Sequence, residues 1–110
     1  MEKPEVLIDW SNSAEKIKNL VRALNPHPGA HTIIQGKRVK IWRAKVINLK
    51  VSCQEAGSVL LCDGKEGLAV ACGSGHLLLE EMQPEGKGKM TGAEFCRGHK
   101  IQFGEKLKVP

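Results

Sequence analysis

Ile17, Leu20, Val21 and Leu24 recur three or four positions apart, which places them on one helical face, while Lys16, Lys18, Asn19 and Arg22 fall on or near the other. Asn12 with Glu15 three residues on predicts a capping box at the start of this helix. Asn25-Pro26-His27-Pro28-Gly29 ends it, because Pro26 cannot continue a helix and disfavours helical geometry at Asn25. Ahead of the helix, residues 1 to 11 read as an extended lead-in with Val6, Leu7, Ile8 and Trp10 as apolar anchors.

Beyond the helix stop the signals turn to β. Ala30 to Ile34 predicts a short strand, Gln35-Gly36 a tight turn, and Arg38 to Ile47 a long strand rich in β-branched residues. The alternation slips inside the long strand: Val39 and Ile41 share one face, Trp42, Ala44 and Val46 the other. A bulge near Ile41 and Trp42 reconciles the two halves. Without a bulge, Arg38, Lys40 and Trp42 line one face, an arrangement suited to single-stranded nucleic acid, since a base stacks on the ring while cations hold phosphates. Against that, a lone Trp in a chain with so few aromatics is more often core, and Trp42 is assigned there.

Residues 48 to 57 form a polar connection ending in Ala56-Gly57. Strands follow at Ser58 to Cys62, Leu68 to Cys72 and His76 to Met82, separated by Asp63-Gly64-Lys65-Glu66-Gly67 and Gly73-Ser74-Gly75. Thr91 with Glu94 makes a second capping box and Gly98 a C-terminal stop, so a short helix lies between them. Ile101, Phe103, Leu107 and Val109 then alternate loosely through an extended tail. The whole predicts a mainly β fold: a small, open, OB-like β-barrel of Greek-key type with an N-terminal helix and a short C-terminal helix.

At 110 residues the chain is one domain, 1 to 110, and its 41% hydrophobic and 26% charged content argues against disorder. No apolar run approaches the roughly 18 residues of a membrane span, and Met1 to Glu5 has no apolar signal-peptide region. Cys53, Cys62, Cys72 and Cys96 match no zinc spacing and form no Cys-x-x-Cys pair, so free, mostly buried thiols in a reducing cytoplasm are expected. His76 follows Cys72 by four positions, but without a second such pair no metal site is assigned. No nucleophile has an evident base by sequence spacing, and no catalytic residue is assigned.

Charge changes the picture most. Residues 16 to 54 contain no Asp or Glu yet carry nine positive side chains: Lys16, Lys18, Arg22, Lys37, Arg38, Lys40, Arg43, Lys45 and Lys50. The net charge of +5 is therefore a local feature. Such a block is either a solvated surface or the footprint of a polyanion, most often nucleic acid. Alternation keeps residues 37 to 45 from all pointing one way; Arg38 with Lys40 and Arg43 with Lys45 are candidate pairs on opposite phases. Gly86-Lys87-Gly88-Lys89 lacks the Ser or Thr of a Walker loop, but places Lys87 and Lys89 just before a helix start, where backbone N–H groups favour an anion.

Several of these pieces fall into one ordered pattern. Ile8-Asp9-Trp10-Ser11, Arg22-Ala23-Leu24-Asn25-Pro26-x-Pro28-Gly29-Ala30, Gly36 to Ala44, Gly67 to Gly73, Leu79 to Lys87 and the closing Gly98-x-x-Ile101 together resemble the C-terminal domain of methionyl-tRNA formyltransferase. Each block alone is weakly specific; the ordered set spans nearly the whole chain. His27 stands where that family usually has an aromatic, and Ala56 where a Pro often precedes the glycine.

The resemblance implies an OB-like barrel appended to an N-terminal catalytic domain, with residues 1 to 11 as the connection. That absent domain would transfer formyl from 10-formyltetrahydrofolate to methionyl-initiator tRNA in bacterial-type cytoplasmic translation initiation. This chain alone is then expected to be non-catalytic, with no cofactor or metal of its own and no membrane contact. Its expected role is to hold tRNA through phosphates, with Lys37, Arg38, Lys40, Arg43 and Lys45 leading and Lys16, Lys18, Arg22, Lys87 and Lys89 assisting. The alternative is an architectural domain of a related formyltransferase or formyl-folate hydrolase that never meets RNA.

Overall fold

A computed structural model describes residues 6–24, 29–50, 55–99 and 101–107. In chain order the elements are β1 (Val6–Leu7), α1 (Ala14–Leu24), β2 (Ala30–Ile34), β3 (Lys37–Ile47), β4 (Val59–Asp63), β5 (Gly67–Ala71), β6 (His76–Pro84), β7 (Met90–Thr91) and α2 (Gly92–Gly98). The strands form one sheet in the order β1-β2-β3-β6-β5-β4, with β7 paired to β6. Strands β4, β5 and β6 form a meander and β3 lies beside β6, reached across the long connection after Ile47, which is Greek-key order. Among the described residues no pairing joins the two ends of that order, so the sheet stays open.

Inside the curve lies one apolar core. Ile8 and Trp10 from the lead-in, Ile17 and Val21 from α1, Val39 and Ile41 from β3, Leu77, Leu79 and Met82 from β6, and Phe95 from α2 are all buried there. Trp10 is fully enclosed, and its indole N–H donates to the Thr32 hydroxyl at 3.0 Å, so its one polar atom is satisfied. A smaller cluster of Leu60, Ala69 and Ala71, with Ile47, Leu49, Leu61 and Leu78 packed against it, lies apart from this core.

The β2–β3 turn has positive φ at both Gln35 (51°) and Gly36 (80°), the geometry that matches strand twist in a two-residue hairpin. Helix α1 begins one residue later than the sequence predicts. Its capping hydroxyl is Ser13, which accepts from the Lys16 N–H at 3.2 Å, because the Asn12 carbonyl is engaged instead by the Gly73 N–H at 2.9 Å. The predicted stop at residues 25 to 28 lies outside the described residues. At α2 the box is as expected: the Glu94 N–H donates to the Thr91 hydroxyl and the Thr91 N–H to the Glu94 carboxylate, both at 3.1 Å. The tail folds back along β4, with the Leu107 N–H on the Gly57 carbonyl and the Val59 N–H on that of Glu105, each at 2.8 Å. Ile101 and Leu107 are buried and Phe103 is exposed, while Val109 lies outside the described residues.

The expectation of free thiols fails at two positions. Cys62 on β4 and Cys96 on α2 form a disulfide with their Cα atoms 5.6 Å apart, within the usual range for such a bond. They are 34 residues apart in sequence, so only the packing of α2 against β4 and β5 brings them together. Cys72 is a buried free thiol, pushed up to about 12 by burial. Cys53 lies outside the described residues.

Candidate functional site

The bulge predicted in β3 is present, but it acts differently from the expectation. Val39 and Ile41 pair with Pro84 and Met82; the register then shifts on both sides of Arg43, after which Ala44 and Val46 pair with Leu79 and Leu77. Since Leu77, Leu79 and Met82 all belong to the core, the shift turns Ala44 inward to pack against Val39 and Ile41, while Val46, opposite Leu77 near the end of the strand, stays exposed. Trp42 is left out of that set. It is half-buried and absent from the core, contrary to its assignment, because the extra residue of the bulge absorbs it. The same change of phase puts Lys45, opposite Leu78, on the outward side with Arg38 and Lys40.

Trp42 is held in place by a short relay. Its indole N–H donates to the Gln83 side-chain oxygen at 2.9 Å, and the Gln83 amide donates to the Lys87 carbonyl at 2.7 Å. Strand β3, strand β6 and the loop at 85–89 are thereby fastened together around one ring. The Lys89 ammonium stands 4.1 Å and that of Lys40 4.9 Å from the ring centroid, both within cation–π range.

Two depressions flank this ring. One, of about 210 Å³, is lined by Arg38, Lys40, Gln83, Pro84, Glu85 and Gly86. The other, of about 110 Å³, lies where α1 meets β3 and is lined by Lys18, Val21, Arg22, Trp42, Arg43 and Ala44. Lys40 belongs to the first and Trp42 to the second, and these two side chains touch. A cationic band therefore runs from Arg38 through Lys40, Trp42 and Lys89 to Arg43, Lys18 and Arg22.

Of the ten sequence candidates, Arg38, Lys40, Arg43, Lys18, Arg22 and Lys89 are brought together in this way, and Lys87 contributes its carbonyl to the relay. Lys16, Lys37 and Lys45 line neither depression. Lys16 lies near Asp9, whose carboxyl is held below its ordinary value first by the Ser11 hydroxyl, then by the Ser11 N–H, with Lys16 adding a smaller effect. Lys37 pairs with Ile34 beside the hairpin turn. Gln83 is the member that sequence reasoning missed, and only the β3–β6 register could have singled it out. Among the described residues no group of three or more His, Cys, Asp or Glu is placed to hold a metal ion, and no helix is long and apolar enough to cross a membrane.

The described residues thus form an open Greek-key sheet that carries a cation-flanked aromatic on its third strand. The family model described as Formyl transferase, C-terminal domain, matches residues 1–100, and the chain belongs to that family. It is similar to the methionyl-tRNA formyltransferase of Carboxydothermus hydrogenoformans, 44% identical over 105 residues that make up 96% of this chain and 33% of that protein. The methionyl-tRNA formyltransferase of Symbiobacterium thermophilum is 41% identical over 110 residues, 100% of this chain and 34% of its own length. That of Acidithiobacillus ferrooxidans is 40% identical over 107 residues, covering 97% of this chain and 34% of the relative. The chain thus spans about a third of the length of the curated relatives it matches.

Proposed function

We propose that this chain is the tRNA-holding part of a methionyl-tRNA formyltransferase, gripping phosphates while a separate catalytic domain works on the methionyl end. The observation that carries the reading is the grouping of Arg38, Lys40, Lys89, Lys18, Arg22 and Arg43 around Trp42, since clustered cations bind a polyanion where scattered ones only solvate. In this reading the partners are initiator methionyl-tRNA and an N-terminal catalytic domain, and the setting is the bacterial cytoplasm. Formyl transfer from 10-formyltetrahydrofolate belongs to that other domain, so the chain alone holds no catalytic residue and no cofactor.

The test is binding of full-length initiator tRNA to this chain across a salt series. Log K should fall linearly with log[salt] with a slope of magnitude about 2 to 5, the signature of a handful of phosphate contacts. An elongator tRNA should bind within about twofold of the initiator, because phosphate contacts carry little sequence information. Absence of salt-dependent binding at low ionic strength would sink the reading in favour of an architectural domain.

A further inference from the structure

A phosphate grip needs cations on flexible stems and nothing more, yet this band is built around a ring whose orientation is fixed. Gln83 anchors the Trp42 indole N–H at 2.9 Å and is itself anchored to the Lys87 carbonyl at 2.7 Å, so the plane of the ring is set by three segments of chain. Trp10, which fills space, is fully buried, whereas Trp42 is only part-buried: it lines the depression between α1 and β3, and Lys40 of the other depression stands 4.9 Å from its ring centroid.

We infer that Trp42 is a stacking platform for one unpaired base of the bound RNA, with Lys40 and Lys89 passing from the ring to the phosphates on either side of that nucleotide. The inference rests on the tRNA-holding reading and narrows it from polyanion to unpaired ribonucleotide. Stacking on an aromatic needs a base whose face is free, whereas an A-form duplex keeps its base faces covered and is met through phosphates and 2′-hydroxyls. The two ammonium groups, 4.1 and 4.9 Å from the ring centroid, sit at the ends of long rotatable stems. An exposed cation–π contact is weak beside a base stack plus an ammonium–phosphate pair, so the exchange is favourable. The depressions of about 210 and 110 Å³ give the backbone a cation-lined path into and out of the stacked position.

The chain has two Trp, so labelling with 5-fluorotryptophan gives two fluorine resonances, assigned by comparison with a labelled Trp42→Phe chain. The labelled chain is titrated at low ionic strength with an unpaired octaribonucleotide and, separately, with a blunt RNA duplex carrying as many phosphates. The octaribonucleotide should shift the Trp42 resonance and leave that of buried Trp10 in place. Trp42→Leu should bind the octaribonucleotide about 5- to 150-fold more weakly, Trp42→Phe should keep most of the affinity, and duplex binding should change less than about twofold. Octaribonucleotide binding without a Trp42 shift overturns the stacking inference and leaves the holding reading intact. Absence of binding to either RNA overturns both. Should Trp42→Leu not fold, the fluorine shift of the unaltered chain decides.

Discussion

Replacing Gly73 with Ala should unfold the junction on which helix α1 and the lead-in depend. A Cβ at Gly73 would lie 1.8 Å from the Ser11 carbonyl oxygen, well inside the 3.0 Å below which such contacts do not occur. The Ser11 carbonyl would therefore have to retreat by about 1.2 Å, the difference between those two values. It cannot do so alone, because the Gly73 N–H donates to the carbonyls of both Trp10 and Asn12 at 2.9 Å, and the Ala14 N–H donates to Ser74 at 2.8 Å. Loss of two backbone hydrogen bonds at ~1 kcal/mol each, with ~1–3 kcal/mol for the overpacked contact, gives ~3–5 kcal/mol. Against a domain stability of ~5–15 kcal/mol that is severe. At a urea m-value of roughly 1.5–2 kcal/mol/M the unfolding midpoint should fall by about 1.5–3 M, followed by fluorescence of the buried Trp10. Gly88→Ala is the control, since nothing lies within 4 Å of its added Cβ, and it should change stability by less than ~0.5 kcal/mol. A Gly73→Ala loss below ~1 kcal/mol, or an equal loss in both variants, would refute the argument.

Glu94 ties stability to pH. The Thr91 N–H first, then the Thr91 hydroxyl, and to a smaller extent Arg97, hold its carboxyl below the ordinary carboxylate value. A depressed folded value means the contribution is present above the ordinary carboxylate pKa and is lost as pH falls through the folded one. Wild type should therefore exceed Glu94→Gln in urea midpoint at neutral pH and lose that margin progressively as the pH is lowered below the ordinary carboxylate range; a margin that does not change with pH contradicts the cap's charge. The Cys62–Cys96 bond closes a 34-residue separation, for which the chain-entropy relation gives ~3–4 kcal/mol, so the Cys62→Ala/Cys96→Ala chain should unfold at correspondingly lower urea. Thiol titration of the unreduced chain in denaturant should count two thiols, Cys53 and Cys72, and a count of four would remove the bond from the account.

Much of the fold is local and so could be read from the chain. The Gln35-Gly36 turn, the glycine turns that set off β4, β5 and β6, and the Thr91–Glu94 box each depend on residues a few positions apart. The strands those turns separate and the short C-terminal helix followed from them. What stayed hidden depends on partners far away in sequence. Asn12 looked like the cap because nothing in its neighbourhood reveals that Gly73 takes its carbonyl. Cys62 and Cys96 looked free because their pairing needs α2 laid against β4. Trp42 is the most instructive case: the slip in alternation was visible and the bulge followed from it, but which residue a bulge ejects depends on β6, whose Leu77, Leu79 and Met82 fix the inward set.

The same distinction governs the cations. Sequence supplies a block of nine positive side chains without an acid, and on that basis alone the surface should be intensely positive. Folding both sharpens and tempers it. It recruits Lys89 from a stretch that is nearly neutral in sequence, and it leaves Lys16 beside Asp9 and Lys37 at a hairpin edge. It also sets Glu85 against the depression of Arg38 and Lys40, and Glu66 and Glu80 beside Arg43 in a neighbouring hollow. Carboxylates at that range oppose a polyanion's field while leaving individual ammonium–phosphate contacts possible, so fewer phosphates are neutralised than cations are present. That is the physical reason the expected salt slope is a handful and not ten.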